Sequence, residues 1–189
     1  MATFLSSYTF EKDPLKEKSH MQASPKVEPS TLHLVIVGAG LCGLSAAIST
    51  QLEGHSVTIL ESAHELTEVG AGIGLTPNST RLSHRWGIHD ELARVATPPD
   101  TMIVYRYDGT VLLAQVERYQ EKLMGRYGAS FWGIHRADLH RVLANRAKEL
   151  GVVVRLSARA VHIDFDRPSV TIESGESISG DVILGADGL

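Results

Sequence analysis

The chain has 189 residues, of which 43% are hydrophobic and 21% charged, and a formal net charge of -4 at pH 7. That length accommodates one domain with a substantial core rather than two large ones, and the slightly acidic balance gives no basic footprint for nucleic acid or an anionic membrane. Cys42 is the sole cysteine, which excludes an internal disulfide and reads as a cytoplasmic chain.

Residues 1–30 carry Pro14, Pro25 and Pro29 among scattered lysines and glutamates, and no hydrophobic period, so a flexible leader is expected there. The segment lacks the apolar core of a signal peptide, and Glu11, Asp13 and Glu17 argue against a transit peptide. A folded domain is expected over residues 31–189. It opens on LHLVIV, residues 32–37, a continuous β-branched run of the kind buried on both faces of a sheet. Residues 41–53 place Leu44, Ala47, Ile48 and Leu52 at helical spacing, with Gly54 as a stop. SVTIL, residues 56–60, makes the next strand, and the three together predict a parallel βαβ unit.

Further along, residues 76–88 predict a helix entered through Pro77 or Asn78 and stopped at Gly87. Residues 101–116 predict a hairpin turning at Asp108-Gly109, and Tyr105 to Tyr107 reads as alternating strand packing. Residues 135–151 form an amphipathic helix with Leu139, Val142, Leu143, Ala147 and Leu150 on one face and Gly151 as its cap. Four strand-like runs follow, VVVRL, ARAVHIDFD, SVTIES and DVILGADGL, with turns at Asp166-Arg167-Pro168 and Ser174-Gly175. No apolar run approaches the ~20 residues that span a bilayer.

The chemistry concentrates at the first unit. Gly38, Gly40 and Gly43 fall on G-x-G-x-x-G, directly after a strand and opening a helix. The first glycine permits the turn, the second lets a diphosphate approach the backbone, and the third lets helix and strand pack closely. The helix N-terminus then offers unpaired N–H groups and a partial positive charge to an anion. Glu61 ends the second strand where an acid accepts hydrogen bonds from an adenosine ribose. Its charge repels a 2′-phosphate, which disfavours NADP in this pocket and leaves NAD and FAD. Cys42, inside the fingerprint, reads as a small buried filler. The nine histidines show no metal-binding spacing, so no metal is assigned. His135 is positional, and no nucleophile-elbow sequence is present.

Three further motifs in order bring a family into view. EVGAGIGLTPNSTRLSHRWGI (Glu68 to Ile88), FWGIHRADLHRVL (Phe131 to Leu143) and GDVILGADGL (Gly180 to Leu189) resemble, with the glycine fingerprint, the FAD-dependent aromatic hydroxylases. These are single-component flavoprotein monooxygenases, and the likeness is greatest to fungal salicylate-hydroxylase-like members. The resemblance implies an α/β, Rossmann-like FAD-binding domain with a parallel sheet, an inserted hairpin and a β-meander, incomplete relative to the family fold. It assigns FAD contacts to Gly74 in a glycine-rich loop beside the flavin, to Arg136 at a helix start, and to Asp187 of the Asp-Gly motif. It also implies NAD(P)H as co-substrate, and oxygen transfer from a flavin C4a-hydroperoxide to a small phenolic ring. The family's substrate-binding half is absent from the sequence, so catalytic residues are not assigned and this chain by itself is expected to be a truncated, inactive FAD-binding portion. A stand-alone nucleotide-binding module and a different flavin oxidoreductase are the alternatives.

Overall fold

The computed structural model describes residues 30–66 and 70–188. The leader expected over residues 1–30 lies outside the described residues except for Ser30, as do Glu68, Val69 and Leu189 of the motifs. In chain order, β1 (His33–Val37), α1 (Leu41–Leu52) and β2 (Ser56–Leu60) form the expected strand–helix–strand unit. Then come β3 (Gly72–Leu75), α2 (Pro77–Trp86), α3 (His89–Val95), the hairpin β4 (Met102–Tyr105) and β5 (Leu112–Val116), and α4 (Tyr119–Tyr127). β6 (Trp132–His135) leads into the long helix α5 (Arg136–Glu149), and β7 (Val153–Arg155), β8 (Ala160–Asp164), β9 (Ser169–Ile172), β10 (Ser177–Ser179) and β11 (Val182–Gly185) follow.

A four-stranded parallel sheet in the order β11-β1-β2-β7 organises these elements. Successive residues of β1 face opposite sides of it. Ile36 packs with Leu44, Ile48, Leu139, Val142 and Leu143 of α1 and α5, whereas Val35 packs with Leu60, Val170 and Ile172 on the side of the antiparallel meander β8-β9-β10. Helices cover one face and the meander the other, so the central strands have no solvent side. That is the physical reason their sequence is continuously apolar rather than alternating. No described helix is long and apolar enough to cross a membrane.

Several expectations need correction. The stretch read as a glycine-rich loop is in part a strand: β3 pairs antiparallel with β6, Ile73 opposite Ile134 and Gly74 opposite Gly133. Glycine is a poor strand former, and here the partner strand supplies the order. Tyr107 is not in a strand; it sits in the hairpin turn and is 99% exposed. Cys42 is exposed rather than buried, because the second residue of α1 faces away from the sheet that its neighbours Gly43 and Leu44 pack against. The sequence reading also passed over α3, α4, β6 and β10. α4 buries no residue, so it carries no apolar stripe to read, and β10 is a three-residue Ser-Ile-Ser segment paired to β9.

Candidate functional site

The glycine turn is built by close approach. Gly38 leaves β1 with φ of +104°, and its N–H donates to the Leu60 carbonyl at 2.8 Å. A Cβ at Gly38 would stand 2.5 Å from the Ala186 carbonyl oxygen and 2.8 Å from the Asp187 Cα, and one at Gly43 would stand 2.0 Å from the Gly38 carbonyl oxygen. Only hydrogen at both positions lets the turn lie between α1 and the end of β11. The Asp-Gly motif, some 150 residues away in sequence, thereby lies against the fingerprint. Gly40 differs: a Cβ there would meet nothing within 4 Å. It is also the residue that caps α1, and it offers no side-chain hydrogen bond to the first turn. The first-turn N–H groups lack the side-chain partner that serine or aspartate would bring.

Glu61 is tied down at the end of β2. Its Oε2 accepts from the Ala39 N–H at 2.8 Å, and its Oε1 accepts from the Ala63 N–H at 2.8 Å and the Ser62 hydroxyl at 3.2 Å. Burial pushes the carboxyl pKa up, but the backbone donors of Ala63 and Ala39 outweigh it and hold the group below its ordinary value. Both carboxylate oxygens are thus held by donors from the glycine turn and from the residues that follow β2, with the Ser62 backbone adding to them.

Arg136 opens α5, and its side-chain Cβ lies where a Cβ on Gly70 would clash, at 2.7 Å. His135 caps the helix, its Nδ1 accepting from the Ala137 N–H at 3.3 Å. One turn later His140 is buried, with Nε2 2.8 Å from the Ala39 carbonyl oxygen. The sequence reading did not single out His140; its i+4 spacing from Arg136, which puts both on one helix face, was the available signal.

Gly38, Gly40, Glu61, Arg136 and Asp187 all line one crevice of about 480 Å³, with Cys42 and His140. Gly43 packs beneath the turn instead of lining it. A second trough of about 750 Å³ shares Gly38, Glu61 and Asp187 and runs on past Ala158, Arg159 and His162. Gly74 stands apart: it is pressed against the Phe131 ring and lines a separate groove with Gly72 and Gly133. What results is an elongated trough at the C-terminal edge of a parallel sheet, where nucleotides bind in this class of fold.

Comparison with known proteins agrees. The chain is 50% identical over 159 residues to the FAD-dependent monooxygenase OpS4 of Beauveria bassiana, covering 84% of this chain and 37% of that protein. It is 35% identical over 164 residues to the 3-hydroxybenzoate 6-hydroxylase of Polaromonas naphthalenivorans, covering 85% of this chain and 41% of that protein. The solved tetrameric form of 2-methyl-3-hydroxypyridine-5-carboxylic acid oxygenase matches with a TM-score of 0.71 and 30% identity over 85% of this chain and 40% of that one. The chain thus spans about two fifths of the length of these relatives. A match to the FAD binding domain family spans residues 31–189. With its glycine turn, acid, arginine and Asp-Gly motif gathered at one sheet edge, the chain belongs to the FAD-binding domain family of the FAD-dependent aromatic hydroxylases.

Proposed function

We propose that residues 31–189 hold FAD as the binding domain of a monooxygenase that hydroxylates a small phenolic ring with dioxygen and NAD(P)H, residues 1–30 being a leader to it. The observation that carries this reading is the convergence of Gly38, Gly40, Glu61, Arg136 and Asp187 on one crevice at an uncapped helix start. The first turn of α1 receives the diphosphate, whose charge the helix dipole and the Arg136 guanidinium favour. Glu61, held ionised and oriented by backbone donors, accepts from a ribose hydroxyl. Asp187 contacts the cofactor from the far side of the turn, and Gly74 takes its part from a separate groove that it lines with Gly72, Phe131 and Gly133. When bound, FAD supplies the electron transfer and oxygen activation, and the protein supplies position and exclusion of water.

The test is the visible spectrum of the chain after incubation with FAD and desalting, beside a Glu61→Ala control. Retained flavin in the wild type, lost in the control, is expected. Because Cys42 is the single cysteine, exposed and on the crevice wall, bound FAD should also slow its alkylation by a maleimide severalfold. A folded chain that retains no flavin and whose alkylation rate FAD does not change overturns the reading. For the catalytic part, NAD(P)H-dependent, phenol-stimulated oxygen uptake is expected of a polypeptide carrying this domain at the full length of its relatives.

A further inference from the structure

We propose that His140 is a positioning residue: it holds the Ala39 peptide, and through it the mouth of α1, in the orientation that receives the diphosphate. This rests on the FAD reading above and names a residue which that reading does not use.

Ala39 is the residue between the first two glycines of the turn, and both of its backbone groups are tied to distant elements. Its N–H donates to Glu61 Oε2 at 2.8 Å, and its carbonyl oxygen lies 2.8 Å from His140 Nε2. A carbonyl only accepts, so Nε2 carries the hydrogen and donates. Both partners are out of water, His140 at 5% exposure and Ala39 at 1%. Gly38 and Gly40 flank Ala39, and glycine backbones rotate at little steric cost. Without an anchor the Ala39–Gly40 peptide can turn as a rigid plate about Ala39 ψ and Gly40 φ. Because that plate is planar and trans, fixing its carbonyl toward α5 fixes the Gly40 N–H in the opposite direction. Gly40 brings no side-chain cap of its own, so this anchor sets how the chain enters α1. α5 therefore acts on the crevice twice: Arg136 stands at its wall, and His140, one turn on along the same face, bonds the turn itself.

Replacing His140 by leucine leaves a buried carbonyl without a donor, which weakens the arrangement by roughly tenfold in equilibrium terms. Glutamine places an amide nitrogen close to where Nε2 stands, and asparagine, one bond shorter, does not reach. In the 189-residue chain, His140→Gln is expected to bind FAD within about threefold of wild type, and His140→Asn and His140→Leu about tenfold more weakly, by flavin fluorescence titration. In the ligand-free chain, amide hydrogen exchange over Ala39 to Gly43 should be faster in the asparagine variant than in the glutamine variant. A purely space-filling role predicts the reverse, with leucine retaining binding and the two amides alike. Equal FAD affinity and equal exchange for glutamine and asparagine overturn the proposal, whether or not the leucine chain folds. Should folded wild type fail to bind FAD, the cofactor reading falls by itself, and the exchange comparison still decides the role of His140.

Discussion

Glu61 shows how a single side chain joins fold to cofactor chemistry. Its carboxylate ties the end of β2 to the glycine turn through the Ala39 N–H, and burial, which raises its pKa, is outweighed by donors that lower it. A group whose pKa is depressed on folding adds stability above its unfolded value, here 4.5, and that contribution is lost as pH falls through the lower folded value. Glu61→Gln should therefore lower the Tm near neutral pH, at a cost of no more than about 1 kcal/mol once solvent screening of this partly exposed group is allowed for, and the gap in Tm between the two chains should close as the pH drops below the glutamate range. Thermal denaturation of both chains across the acid limb checks this, and a constant gap contradicts it. The acid's place at the strand end was legible in the sequence because spacing from the glycines marks it. The donors that orient it come from three different residues, Ala39, Ser62 and Ala63, and only the folded chain shows them together.

At the scale of elements, α1 and β1 meet at the distance set by glycine. Gly43→Ala brings a methyl to 2.0 Å from the Gly38 carbonyl oxygen. The gain in helix propensity of up to about 1 kcal/mol is outweighed by an overlap costing about 1–3 kcal/mol. Gly40→Ala is its mirror: the methyl meets nothing within 4 Å and φ is an ordinary -71°. Gly43→Ala should lower the Tm measurably, and Gly40→Ala should leave it within a degree or two while flavin retention falls, because its methyl occupies the space where phosphate approaches. A calorimetric scan paired with the desalted spectrum separates the two, and equal Tm losses contradict the assignment. β1, α1, β2, α5 and the strands β8 and β9 were readable because a buried sheet and an amphipathic helix write their periods into the sequence. β3 was not, since glycine-rich strands are held by pairing, here Gly74 opposite Gly133, and pairing has no local signature.

Over the whole molecule, apolar surface is distributed unevenly. The parallel sheet is covered on both faces, whereas the β4–β5 hairpin leaves Ile103, Val104, Tyr105, Leu112 and Leu113 exposed. Strands of that kind, in a sheet of only two strands among the described residues, template association. The chain should self-associate with rising concentration, and Leu113→Lys, at the most exposed of these five positions at 60%, should shift the transition to higher concentration. Light scattering over a concentration series measures it, and a monodisperse monomer throughout contradicts the expectation.

The sequence by itself determined the βαβ unit, the long helix, the hairpin turn and the identity of the nucleotide-binding motif, because each is written in short-range period, in glycine, or in spacing over a few tens of residues. Tertiary structure alone decided what those motifs share. It set Asp187 against Gly38, placed His140 against the Ala39 carbonyl, turned Cys42 outward and moved Gly74 to a separate groove. The physical reason is the parallel sheet order β11-β1-β2-β7, which brings strand ends distant in sequence to one edge and joins them by contacts that leave no trace in local composition.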